Sequence, residues 1–124
     1  MCDLRVLIVD DEDDMRALAR ATIEMANHGL SVLAEAGDAD EGLDRWRAQQ
    51  PEVVVLDQRM PGRTGLDLAE QILEEDPSQV IVLYSAYMDE HLRAAAKRVG
   101  IRACLDKDDH RRLPDVLRAV NPAC

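Results

Sequence analysis

Val53-Val54-Val55-Leu56-Asp57, near the middle of the chain, restricts the fold more than any other stretch. Four consecutive apolar residues, three of them β-branched, predict a strand buried on both faces. Gln58-Arg59-Met60-Pro61-Gly62 follows at once, and Pro-Gly marks a loop. Asp57 therefore lies at the carboxyl end of a central strand, facing the crevice that the loop lines. Leu4 to Val9 is a second apolar run, and it stops on Asp10 and Asp11. Two buried strands that both end on carboxylates need a chemical reason.

The remaining chain alternates helical and strand patterns. A helix is expected from about Asp14 to Asn27, with Met15, Leu18, Ala19, Thr22 and Ala26 on one face and His28-Gly29 as its stop. A weaker strand, Leu30 to Glu35, follows. The second helix opens with the capping-box-like pair Asp38 and Glu41 and buries Ala39, Gly42, Leu43 and Trp46, with Pro51 beyond it. Thr64 is the expected N-cap of the third helix, whose stripe is Leu66, Ala69, Ile72 and Leu73. Val80 to Tyr84 forms the fourth strand and stops at Ser85. The fourth helix, Asp89 to Val99, uses Leu92, Ala95, Ala96 and Val99 and ends at Gly100. The fifth strand spans Ile101 to Leu105, just before Asp106-Lys107. The last helix carries Pro114 in its first turn and turns Leu113, Val116, Leu117 and Val120 inward.

Five strands alternating with five helices make an α/β doubly wound fold, a parallel sheet covered on both faces. Its common order is 2-1-3-4-5, with ligands bound at the switch point between the first and third strands. Those strand ends are Asp10, Asp11 and Asp57, so topology and residue chemistry lead to one place. A length of 124 residues fits a single domain with a proper core. The last helix is expected to end near Val120, which leaves no room for an output domain.

A net charge of −10 argues against nucleic-acid binding by this segment. Cys2, Cys104 and Cys124 are an odd set without a CxxC, the pattern of a reduced, cytoplasmic chain with neither disulfides nor a zinc site. Asp3 and Arg5 interrupt the first apolar stretch, so no signal peptide opens it, and no run is long enough to span a membrane. Arginines number thirteen against two lysines, which gives each lysine individual weight.

Three carboxylates in one crevice repel one another, by about 4 kcal/mol per pair at ~4 Å and an effective dielectric near 20. A positive partner or a bound proton must offset this. Oxygen-only ligands without His or Cys suit a hard cation such as Mg²⁺. Ser85 and Lys107 end the fourth and fifth strands at the same sheet edge. A carboxylate nucleophile, a metal, a hydroxyl and a compact cation are the parts that phosphoryl transfer to an aspartate requires.

Over essentially its whole length the chain resembles the response-regulator receiver domains of two-component signalling, a CheY-like, flavodoxin-like (βα)5 family. Val9-Asp10-Asp11, Leu56-Asp57 with Met60-Pro61-Gly62, Ser85-Ala86 and Lys107 carry the match in their joint order and spacing. The resemblance implies that Asp57 is the phosphoacceptor. It implies Mg²⁺ on Asp11, Asp57 and the carbonyl of Arg59, with Asp10 acting through water. Ser85 would hydrogen-bond the phosphoryl group and Lys107 would pair with it. The implied donor is a histidine of a sensor kinase or phosphotransfer protein. Implied partners are a downstream effector or output domain on the face of the fourth helix, fifth strand and fifth helix, and a homodimer formed on phosphorylation.

Three features depart from the family pattern. Cys104 stands where receivers usually carry an aromatic that rotates inward on activation, leaving Tyr84 or Tyr87 as substitutes. Asp108 follows the lysine where proline is frequent, a variant similar to receivers with helix-turn-helix output. Arg59 and Tyr87 lie two residues beyond site residues and are expected to shape access of the hydrolytic water.

Several residues have plainer readings. Glu12 to Asp14 fit the favourable charge of a helix N-terminus, Cys104 a small buried hydrophobe, and His28, His91 and His110 the surface. A phosphohydrolase would commonly place a second aspartate where Arg59 stands, which counts against that rival. A receiver-like interaction module that works without phosphorylation is the alternative.

Overall fold

In a computed structural model, which describes residues 3–26 and 29–120, the chain builds one five-stranded sheet. Strands β1 (Leu4–Val9), β2 (Leu30–Ala36), β3 (Val53–Leu56), β4 (Val80–Ser85) and β5 (Ala103–Asp106) alternate with helices α1 (Asp13–Ala26), α2 (Ala39–Gln49), α3 (Gly65–Glu75), α4 (Glu90–Val99) and α5 (Leu113–Val120). All pairings are parallel and the order is β2-β1-β3-β4-β5, as expected.

The apolar strands divide their side chains between two cores. Leu7, Val9, Val54, Leu56, Ile81 and Leu83 pack with Leu43, Leu68, Ile72 and Ala96 of α2, α3 and α4. Val6, Ile8, Val53, Val55, Val80 and Val82 pack with Ala19, Ile23, Leu113 and Leu117 of α1 and α5. Strand side chains alternate between faces, so covering both faces is what makes a run of four valine and leucine residues stable. Each such fully buried side chain contributes about 1.5–3 kcal/mol relative to an exposed one.

The helix signals act as their chemistry requires. Asp38 Oδ1 accepts the Glu41 N–H at 2.8 Å, and Thr64 with Asp67 closes a full capping box. Gly100, at φ 110°, lets its own N–H and that of Ile101 bond back to Lys97 and Ala96 carbonyls, which stops α4.

Four expectations need correction. The fifth strand begins at Ala103 and runs to Asp106, because the Ile101 N–H is taken by the end of α4. A 3-10 turn, Lys107–Arg112, precedes α5, and Asp106 caps it by accepting the Asp108 N–H. On α1 the buried residues are Ala19 and Ile23, whereas Leu18 is 37% exposed: the sheet beneath, not the helix's own pattern, selects the inward face. His110, in the 3-10 turn, is half-buried and not fully on the surface. Asn27, His28 and the cysteines Cys2 and Cys124 lie outside the described residues.

At the opposite edge from the expected site, one amide ties three elements together. Gln79 accepts from the Trp46 indole at 2.8 Å and donates to the carbonyls of Glu52 and Val80 at 3.1 Å. Gln79→Leu strands these groups and is expected to cost about 1–3 kcal/mol. A urea melt followed through Trp46, the chain's single tryptophan, measures it.

Candidate phosphoacceptor crevice

Cross-strand backbone bonds pin both acidic strand ends. The Asp57 N–H donates to Val9 O at 2.9 Å, and the Asp10 N–H donates to Ala36 O at 3.0 Å. The following loop is held as well: Gly65 N–H bonds the Gln58 carbonyl, and the Gln58 side chain accepts the Leu66 N–H. The first turn of α3 is thereby tied to the residue after Asp57. Gly65 sits so close that a Cβ there would lie 2.3 Å from the Asp57 carbonyl oxygen.

Among the described residues, the buried polar and charged side chains are Asp10, Asp57, Ser85 and Lys107. All four were singled out on the sequence, and the sheet brings them to one edge. Lys107 Nζ lies 2.7 Å from Asp10 Oδ2 and 3.4 Å from Asp57 Oδ2. The other Asp10 oxygen accepts the Glu12 N–H at 2.9 Å, and Arg16 donates to the Asp10 carbonyl at 2.6 Å. Ser85 Oγ accepts the Tyr87 N–H at 3.4 Å.

The electrostatics follow from burial. Removing Asp57 from water disfavours its charged form. Lys107 opposes that, Asp10 and Asp11 add to it, and the balance pushes the pKa up to about 6. Burial alone would lower the Lys107 pKa, but the hydrogen bond to Asp10 and the charges of Asp57 and Asp10 outweigh it and raise it. Lys107 therefore stays an ammonium. The buried Tyr84 phenol is pushed up to about 12 and stays neutral. With one cation against several carboxylates, the crevice retains excess negative charge.

That excess fits a divalent cation. Asp10, Asp11, Glu12 and Asp57 each place a carboxylate oxygen so that all lie within 4.8 Å of one another. The set is all oxygen, the preference of a hard ion such as Mg²⁺. Glu12, read on the sequence as a helix-end charge, thus also reaches the cluster.

The mouth of the crevice is a cavity of about 730 Å³ whose lining includes Asp11, Met60, Ser85 and Leu92. Arg59 and Tyr87 meet across it, with the guanidinium carbon 3.9 Å from the ring centroid. Tyr87 is 62% exposed and Tyr84 is 3% exposed, so the two tyrosines are not equivalent stand-ins for an aromatic at Cys104. Cys104 is half-buried against the core around Leu83, and burial raises its pKa. His91 is exposed as expected, yet it lines the same cavity as Ser85 and Asp11, closer to the site than its sequence position suggested. Sequence reasoning also missed Gly65 and Gln58. A glycine directly after the N-cap Thr64, where helix propensity disfavours it, is the signal that could have found the first.

Comparison with known proteins identifies the family and the fold. The model of the response regulator receiver domain matches residues 6–118. The protein-glutamate methylesterase/protein-glutamine glutaminase of Rhizobium etli is 34% identical over 123 residues, which are 96% of this chain but 35% of that enzyme. The chain thus spans about a third of that relative's length. The chemotaxis protein CheY of Thermotoga maritima is 32% identical over 98 residues, 79% of this chain and 80% of that protein. A LuxR-family two-component response regulator from Aurantimonas superposes with a TM-score of 0.92 at 27% identity, covering 98% of this chain and 86% of that one. The order of the sheet, the four buried polar groups at its edge and these matches together place the chain in the response regulator receiver domain family.

Proposed function

We propose that the chain is a signalling switch set by phosphorylation of Asp57. The observation that carries this reading is that the polar side chains buried among the described residues are Asp10, Asp57, Ser85 and Lys107, gathered at the sheet edge where ligands bind. Burying charge is costly unless it is used or paired, and Lys107 alone does not neutralise the cluster.

In the proposed reaction an oxygen of the Asp57 carboxylate attacks the phosphorus of a phosphohistidine on a sensor kinase or phosphotransfer protein. The P–N bond breaks, the electron pair stays on the imidazole, and an acyl phosphate forms. Lys107, 3.4 Å from Asp57, pairs with the transferred group, and Ser85 donates a hydrogen bond to it. Asp11, Asp57 and the Arg59 carbonyl would hold Mg²⁺, with Asp10 acting through water. The ion would neutralise charge on the phosphoryl oxygens. Hydrolysis of the acyl phosphate resets the switch. Output passes through the Ser85 loop and the α4–β5–α5 face to a downstream effector or an output domain in a longer regulator, with phosphorylation-driven dimerisation as one route. The cytoplasm, where such kinases present their histidines, is the proposed location. No helix among the described residues is long and apolar enough to cross a membrane.

Intact mass after incubation with acetyl phosphate, with and without Mg²⁺, tests the reading. One added phosphoryl group, dependent on Mg²⁺ and absent in Asp57→Asn, supports it. No adduct on folded protein, beside a control receiver that does react, points to the phosphorylation-independent interaction module, which Cys104 in the aromatic position favours.

The Arg59–Tyr87 stack caps the mouth of the crevice. Tyr87→Ala removes a contact of about 0.5–1 kcal/mol and admits water, so the acyl phosphate is expected to decay roughly two- to fivefold faster. Timed loss of the phosphoryl mass checks this.

A further inference from the structure

Charge is unevenly paired along the chain. Arg5 faces Glu52, Arg20 faces Glu35, and Arg47 faces Glu75. Arg93, Lys97, Arg98 and Arg102 are exposed, and no carboxylate among the described residues pairs with them. The fold gathers three of them. Gly100 turns the last turn of α4 toward the start of β5, and Arg93, Lys97 and Arg102 line one groove there. Arg98 instead lines a separate groove with Glu70 and Glu74. The acids Asp106, Asp108 and Asp109 lie at the far end of β5, Asp106 as its last residue and the other two beyond it. A chain of net charge −10 therefore presents a cationic patch at one end of one strand.

That strand is also an open edge. Among the described residues, β5 is last in the sheet order and pairs with β4 alone. In a parallel strand half of the backbone groups point away from the neighbour, so its outer side has donors and acceptors to offer. Beside it runs a groove of about 360 Å³ lined by Arg93, Lys97, Arg102, Ile101, Ala103 and Cys104. Ile101 is buried while Ala103 and Cys104 are half-buried, which makes an apolar floor under a cationic rim.

We propose that the outer edge of β5, rimmed by Arg93, Lys97 and Arg102, docks an extended acidic segment of a partner protein as an added strand. Backbone hydrogen bonds along β5 supply affinity, and alternate acidic side chains meeting the cations supply selection. The apolar floor suits peptide side chains, and the overall negative charge repels a nucleic-acid backbone, so a polypeptide is favoured over a polynucleotide. As the output partner of a phosphorylation switch, the segment rests on the function proposed above; as a binding site it does not.

The probes are a fluorescein-labelled peptide alternating glutamate with valine, the same peptide with glutamine for glutamate, and an oligothymidylate. The full chain is compared with Arg93→Glu/Lys97→Glu and with the milder Lys97→Gln. The acidic peptide is expected to bind at least about tenfold more tightly than the glutamine peptide, to weaken with added salt, and to weaken at least about tenfold in the double variant, less in Lys97→Gln. Hydrogen exchange at Ala103 and Leu105 is expected to slow in the complex. Equal binding of the two peptides, indifference to both variants, unchanged exchange along β5, or tighter binding of the oligothymidylate overturns the proposal. Phosphoryl uptake from acetyl phosphate is measured on the same samples. Uptake without peptide binding defeats the docking site alone, and peptide binding without uptake defeats the phosphorylation reading alone.

Discussion

Lys107→Met is expected to lower the unfolding free energy by about 3 kcal/mol at pH 8 in chelator, a fall in Tm of roughly 10 °C. The ammonium is 5% exposed and contacts Asp10 and Asp57, themselves 4% and 5% exposed. Its removal leaves two buried carboxylates facing each other without a counter-charge, and methionine fills the space without supplying one. Asp57→Asn is expected to act in the opposite direction. In the folded chain the Asp57 pKa stands at about 6 against an ordinary 3.8, so the folded state holds this proton more tightly than the unfolded state does. By linkage, stability falls as pH rises from about 4 to 6 and stays reduced above that. Discounted for solvent screening, a neutral amide should recover about 1–3 kcal/mol at pH 8 and little at pH 4. The same titration shrinks the Lys107→Met deficit at pH 4, where the contact to Asp10 remains and the one to charged Asp57 is gone. Urea melts of the three proteins at both pH values read all of this. An Asp57→Asn chain less stable than the natural one at pH 8 would mean that the crevice is solvated, not strained by charge.

The second large effect comes from a residue with no chemistry of its own. A methyl group at Gly65 would sit 2.3 Å from the Asp57 carbonyl oxygen and 3.0 Å from its carbonyl carbon. The obstacle is backbone, so no side-chain rotation relieves it. Either α3 moves outward, loosening Leu68 and Ile72 from the core, or the end of β3 moves and takes the Asp57 carboxylate with it. Gly65→Ala is expected to cost about 1–3 kcal/mol. It should also slow phosphoryl uptake from acetyl phosphate by an order of magnitude or more, since a displacement near 1 Å costs about a hundredfold in a well-positioned reaction. Uptake at the natural rate, with only stability reduced, would show that α3 yields and the nucleophile stays in place.

Much of this site was legible before any coordinates. Strands β1, β3 and β4 are apolar enough to require cover on both faces, and each stops on a residue that water would keep: Asp10, Asp57 and Ser85. Such strand ends can only meet at one edge of a parallel sheet, so their convergence is a consequence of chain order. Lys107 joined them because it follows the last strand directly. The caps at Asp38 and Thr64 were legible for a local reason, since each satisfies an N–H group a few residues away.

What stayed hidden depends on distances between residues far apart in the chain. The sequence marks Leu18 and Ile23 as equally apolar, and only the position of α1 over the sheet buries one and exposes the other. Gly65 looks like a weak start to a helix until the Asp57 carbonyl is found against it. The stack of Arg59 on Tyr87, and the gathering of Arg93, Lys97 and Arg102 beside an open strand edge, follow from how neighbouring loops and elements pack. Periodicity and strand-end chemistry are short-range properties written residue by residue, so the order of the sheet and its reactive edge can be read directly. Which face of a helix is buried, where a methyl group cannot fit and which charges lack a partner are set by long-range packing, and they exist only once the chain has folded.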